Sequence, residues 1–185
     1  MQPDPKEFAA GDYNLYRYCH NDPVNRVDPD GLVDLSYTPS TSAFAEFRQW
    51  EATYNPGDVF TIAGHADSGG ILNASGGYVS MQRIVADIVK NNTENKPIVL
   101  IACQTGRGDH PFAERLAKAV AAASGRTTTV TAPTTEVTGG KHGEGPHIHP
   151  EIRPGAEHLP VTNKERYDFS KPGKQIRFKQ RGKDD

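Results

Sequence analysis

The sequence predicts an α/β fold, a mainly parallel sheet held between helices in three layers. Three observations lead there. Segments with strand character alternate with segments of helical periodicity, which is the pattern of βαβ units and a parallel sheet. Ile98-Val-Leu-Ile-Ala-Cys103 is a nearly unbroken apolar run, as expected of a central strand covered on both faces. Apolar residues recur at helical spacing in the segments between the strands.

In chain order, Ala43 to Tyr54 reads as a helix with Phe44, Phe47 and Trp50 near one face, and Asn55-Pro-Gly57 stops it. Asp58 to Ala63 reads as a strand that runs into Gly64-His65, followed by a glycine-rich loop from Asp67 to Gly77. Ser80 is placed to cap a helix through about Lys90, whose stripe is Ile84, Val85, Ile88 and Val89. The apolar strand at 98–103 comes next, and then a helix from about Pro111 to Ala123 with Asp109 as its expected cap. Thr127 to Thr131 is a β-branched strand ending at Ala132-Pro-Thr134.

The flanks read differently. Residues 1–32 are rich in Asp, Asn, Pro and aromatics, with one short alternating strand at Asp12 to Tyr18 between strong turn signals. Such a stretch belongs to a larger β-structure. Residues 139–160 are rich in Gly, Pro and His and read as a long loop or lid. Lys164 to Lys183 is basic, with one further strand at Gln175 to Lys179 that would join the edge of the sheet. The expected organisation is thus 1–32, an α/β domain over 33–138, and a loop and basic tail over 139–185.

The chain has 185 residues and a formal net charge of -2, a balance that argues against a dedicated nucleic-acid binder. No apolar run is long enough to cross a bilayer, and no signal-peptide pattern opens the chain, so any export is expected to use a route not encoded at this end. Cys19 and Cys103 are too few for a disulfide framework, and they fall in different units.

The carboxyl ends of parallel strands form the functional edge of such a sheet. His65 follows one strand and Cys103 ends another, and neighbouring strands would bring a thiol nucleophile and its base together. The turn Gln104-Thr-Gly-Arg-Gly108, the start of the next helix and Arg107 all favour a depressed thiol pKa. Amides near Gly64, Ala66 and Gln104, with that of Cys103, are candidate oxyanion donors. The plain alternative is a small core thiol and a loop histidine. His142, His147, His149 and His158 lie in loop-like sequence; His147-Ile-His149 lacks the partners that would complete a metal site, and no metal or cofactor is expected. Asp67 reads as a loop aspartate rather than a third catalytic member.

Gly11-Asp-Tyr-Asn-Leu-Tyr-Arg-Tyr18, Asn21-Asp-Pro-Val-Asn25 and Asp28-Pro-Asp-Gly-Leu32 resemble the C-terminal end of the RHS repeat-associated core. In that family the core forms a β-shell around a C-terminal toxin and cleaves itself after an Asp-Pro-x-Gly-Leu element. The resemblance implies an autocleavage motif of Asp28, Asp30, Gly31 and Leu32, with the cut after Leu32. Asp4-Pro5 sits where the family's earlier Asp-Pro motif would be, without its usual glycine.

Downstream, Ile62-Ala-Gly-His65, Lys96-Pro-Ile-Val-Leu-Ile-Ala-Cys-Gln-Thr-Gly106, Phe112-Ala-Glu-Arg-Leu-Ala117 and Val130-Thr-Ala-Pro-Thr134 resemble the caspase-like cysteine peptidases. The His-bearing strand precedes the Cys-bearing strand, which is that family's order, and Ala66 stands where the family usually carries Gly. Together the resemblances imply a caspase-like three-layer sandwich behind a short RHS-core β segment. They imply a secreted toxin effector that is a cysteine endopeptidase, with Cys103 and His65 as its dyad. Export by a specialised, type VI-like system, delivery into a target-cell cytoplasm, a protein substrate there, the RHS shell of the parent chain and a cognate immunity protein all follow from the same resemblance. The alternatives are a transferase or a nucleotide or lipid hydrolase on the same fold, or a non-catalytic binding module.

Overall fold

A computed structural model of the chain describes residues 33–183, apart from 55, 141–143 and 161. The autocleavage motif and Cys19 lie outside the described residues. Strands β1 (Leu35–Ser36), β2 (Phe60–Ala63), β5 (Ile98–Ile101), β6 (Thr128–Pro133) and β11 (Gln175–Gln180) form a five-stranded sheet in that spatial order. The first four run parallel, and β11 pairs antiparallel with β6 along its whole length. The fold is therefore mixed α/β with a mostly parallel central sheet.

Alternation along the strands sorts the side chains into two apolar layers. Phe60, Ile62, Ile98, Leu100, Val130 and Ala132 face helices α2 (Met81–Asn91) and α3 (Phe112–Ser124), whose Ile84, Ile88, Leu116 and Val120 complete the larger core. Ala63 and Ile101 face the other way, onto Trp50 of α1 (Ala45–Glu51) and onto Val33 and Val137. Burying large aliphatics of this kind contributes about 1.5–3 kcal/mol each, the main term holding the layers together.

The local signals explain the helix ends. Ser80 caps α2 as expected, its hydroxyl accepting from the Arg83 N–H. Helix α3 ends at Gly125 in the left-handed region at φ 74°, where the glycine N–H reaches the Ala121 carbonyl. Its start departs from expectation. Pro111, not Asp109, is the cap residue, and no side chain caps that end. Main-chain carbonyls serve the first-turn donors instead: the Ala113 N–H reaches the Thr105 carbonyl at 3.0 Å and the Glu114 N–H the Pro111 carbonyl at 3.1 Å.

Two further departures concern short strands. β1 precedes the first helix and extends the sheet by one strand. It is anchored by Asp34, whose carboxylate accepts from both the backbone and hydroxyl of Thr61 at 2.7 Å. Beyond 138 the chain is not one loop. β7 (Val137–Thr138) pairs with β8 (His147–Ile148), and β9 (Glu151–Ile152) pairs with β10 (Tyr167–Asp168). The expected boundary at 138 thus parts β7 from β8 and separates β11 from its sheet. Two-residue strands are too short to display a period of two, which is why the sequence reads as loop there.

Candidate active site

The register of β2 and β5 decides where His65 and Cys103 fall. Ala63 lies opposite Ile101, and the ladder continues through the Gly64 N–H, which donates to the Ile101 carbonyl at 3.3 Å. His65 and Cys103 each lie two residues beyond the last pair of that ladder, past the carboxyl ends of β2 and β5. Both residues share the α1 face. The Cys103 side chain packs with the Trp50 cluster, and the exposed His65 ring lies on Phe44, just before α1, with centroids 5.1 Å apart. Among the described residues no hydrogen bond joins them.

The thiol has other partners. The Val137 N–H donates to Cys103 Sγ at 3.4 Å, and the thiol lies 3.7 Å from the Val137 carbonyl as a weak donor. Burial pushes the Cys103 thiol above its ordinary range. The Val137 N–H, the residue's own N–H and Arg166 act in the opposite direction, and the Glu136 carboxylate adds to the rise. The depressed thiol expected from the sequence is therefore overturned for the resting protein. Arg107 is exposed and turned to Gln104, whose Oε1 it reaches at 3.5 Å, and Arg166 is the guanidinium that the thiol feels.

The amides divide in the same way. Gly64 N–H is held by Ile101, and Gln104 N–H donates to the Thr135 carbonyl at 2.9 Å, so neither is free to hold an oxyanion as expected. Ala66 opens β3 (Ala66–Asp67), a hairpin with β4 (Gly70–Ile71). Its φ is not in the left-handed region, so this backbone does not call for glycine there. The Cys103 N–H has no carbonyl partner among the described residues, and it acts on the residue's own thiol. The chain then turns sharply, with Gln104 in the left-handed region at φ 57°. Gly106 passes so close to β6 that an added Cβ would meet the Ala132 carbonyl oxygen at 2.9 Å, so only glycine fits there. Asp67 binds the Gly69 and Gly70 amides and the Tyr78 hydroxyl, a turn role.

A polar cluster that sequence reasoning missed adjoins the thiol. Arg166, 7% exposed, forms a fork onto Glu136, with Nη2–Oε1 at 2.5 Å and Nε–Oε2 at 3.1 Å. Its Nη1 donates to the carbonyls of Ala156, Glu157 and Leu159. The Tyr167 hydroxyl donates to Glu136 at 2.9 Å, and His149 stacks on the Tyr167 ring. Burial pushes the Glu136 carboxyl up, but Arg166 and Tyr167 outweigh it and hold the group below the ordinary range. Burial also lowers His149, whose Nε2 lies 2.9 Å from the Thr138 hydroxyl. His149 is therefore occupied, and among the described residues no group of three or more His, Cys, Asp or Glu could hold a metal. The one sequence signal was Glu136 itself, a carboxylate just past the end of β6 at the functional edge.

Gln104, Arg107, Thr134, Glu136, Glu151 and Ile176 are among the residues that line a cleft of about 200 Å³ beside this cluster. Residues 33–146 match the family model described as Domain of unknown function (DUF8616). The chain belongs to this family. The DUF8616 match holds His65, Cys103 and Glu136 but stops before Arg166 and β11, which complete the cluster and the sheet. The chain is also 32% identical over 113 residues to the uncharacterized protein YibJ of Escherichia coli (strain K12). That alignment covers 60% of this chain and 46% of YibJ, so the chain spans about half the length of the curated relative it matches. No solved structure gives a match. Among the described residues no helix is long and apolar enough to cross a membrane.

Proposed function

We propose that the chain is the C-terminal part of an RHS-type secreted toxin, and that its α/β domain is a caspase-like cysteine endopeptidase. The RHS assignment rests on the sequence motifs between Gly11 and Leu32. The observation that supports the peptidase reading is that β2 and β5 are adjacent parallel strands in register at Ala63 and Ile101, so that His65 and Cys103 each follow two residues beyond the same edge of the sheet. In the reaction Cys103 Sγ attacks a peptide carbonyl while its proton passes to the His65 imidazole. The Cys103 N–H faces the developing oxyanion, His65 returns the proton to the leaving amine, and water then hydrolyses the thioester. Because burial holds the resting thiol protonated, the proton moves only once substrate has brought the imidazole to it. Delivery into a target cell and control by an immunity protein belong to the same proposal.

The reciprocal contact between Cys103 and Val137 favours a second reading, a non-catalytic binding module in which Cys103 is a packing thiol. Peptidyl chloromethyl ketones separate the two, with intact mass and peptide mapping as the readout in a Cys19→Ser background. The peptidase requires Cys103 to be labelled far faster than by iodoacetamide, with the excess lost in His65→Ala. Equally slow labelling of wild type and His65→Ala overturns the dyad and leaves the packing thiol.

A further inference from the structure

Strand β11 closes the sheet, and its charge is unlike that of the rest of the chain. Lys174 to Lys183 contains Lys174, Arg177, Lys179, Arg181 and Lys183 and no acidic residue, in a protein of net charge -2. β11 bonds to β6 on one side, and among the described residues no strand bonds to its outer edge. That edge presents backbone N–H and C=O groups in a row. Phe178 packs against the α2–α3 core, so Gln175, Arg177 and Lys179 point to the opposite face, beside Thr131 and Thr129. Arg177, Lys179 and Arg181 are exposed there, and among the described residues none has a carboxylate within ion-pair distance.

We propose that the outer edge of β11 takes an extended acidic segment of a partner protein as a sixth strand. Residues two apart on a strand are separated by about 6.8 Å, so Arg177, Lys179 and Arg181 repeat at the spacing of alternate side chains on an added strand. Carboxylates at those alternate positions would lie across from the three cations, while main-chain bonds satisfy the edge. A second copy of β11 would set cation against cation and is disfavoured by the same geometry. A nucleic-acid strand would neutralise the charge but leave the backbone edge unpaired, so the acidic protein segment fits better. The inference stands independently of the Cys103–His65 reading.

The test uses the full chain and a fluorescent peptide of about eight residues alternating Glu and Thr, followed by anisotropy at low salt. The expected result is saturable binding that weakens at least about tenfold in Arg177→Glu/Lys179→Glu, whose fold is checked by circular dichroism. A similar loss is expected on N-methylating one of the two alternate sets of peptide amides, the set that faces β11, and not the other. Equal binding of both N-methylated peptides, or of a sequence-scrambled peptide, would show a simple polyanion effect and overturn the proposal. Tighter binding of oligothymidylate than of the peptide, or no binding at all, overturns it equally.

Discussion

The main chain of Val137 closes on the Cys103 thiol, with its N–H 3.4 Å from the sulfur and its carbonyl oxygen 3.7 Å away. This contact and the burial around it set the resting reactivity. The thiol is pushed up chiefly by burial, so at neutral pH it carries less thiolate than an exposed cysteine. Iodoacetamide should therefore label Cys103 at least about tenfold more slowly than glutathione at pH 7.5, with a midpoint above the ordinary thiol range of about 8.5. Peptide mapping across pH 6 to about 10 measures this, and a midpoint below about 8 would contradict the buried, protonated thiol.

Arg166 and Glu136 form a largely buried pair, their side chains 9% and 15% exposed. Removing one partner strands the other charge away from water. Arg166→Met should cost about 3–5 kcal/mol, and Arg166→Met/Glu136→Gln distinctly less, because no buried charge is then left alone. Urea denaturation of the two variants decides it. Equal losses would mean that the guanidinium acts through the carbonyls of Ala156, Glu157 and Leu159 rather than through Glu136.

The parts of this architecture legible in the sequence are those with a long enough signal. Ile98 to Ile101 is unmistakable as a buried strand, and Ser80 with the stripe Ile84–Ile88 marks α2. From these the edge position of His65 and Cys103 follows. The cluster around Glu136 was not legible, because Arg166 is 30 residues away in a basic stretch that reads as a solvated tail. Only tertiary packing buries Arg166, together with Tyr167, while Lys164, Lys171 and Lys174 stay exposed. The upward shift of the thiol is illegible for the same reason. Sequence displays nearby charges such as Arg107, whereas desolvation depends on Trp50, Val137 and Ile148, which arrive from three separate segments.

Gln104 holds φ 57° immediately after Cys103. A β-branched side chain is strained there, so Gln104→Val should destabilise by about 1–2 kcal/mol, while Gln104→Asn and Gln104→Gly stay within about 0.5 kcal/mol of wild type. Thermal melts rank the three. If Val were tolerated as well as Gly, the turn would have relaxed out of the left-handed region, and the Gln104 amide would no longer reach Thr135.

Glu51 is the carboxylate whose titration the fold shifts in the unusual direction. It is 1% exposed, and its oxygens accept from Ser36 Oγ at 3.1 and 3.2 Å and from Thr38 Oγ1 at 2.5 Å. Burial raises it from 4.5 to about 6, against the opposing effects of those hydroxyls and of Arg48. The folded state therefore binds the proton more tightly than the unfolded chain. Glu51 contributes its full stability below pH 4.5, and that contribution is lost as pH rises towards about 6. Above that window the loss amounts to about 2 kcal/mol. Glu51→Gln keeps an acceptor for both hydroxyls and removes the charge. It should stabilise the protein above pH 6.5 by about 1–2 kcal/mol and be nearly neutral at pH 4.5. Comparing the two proteins at each pH cancels the opposite trend of Glu136, whose lowered carboxyl loses stability as pH falls. Chemical denaturation of both proteins across this range measures the difference, and parallel stability curves would place the Glu51 charge in water rather than beneath β1.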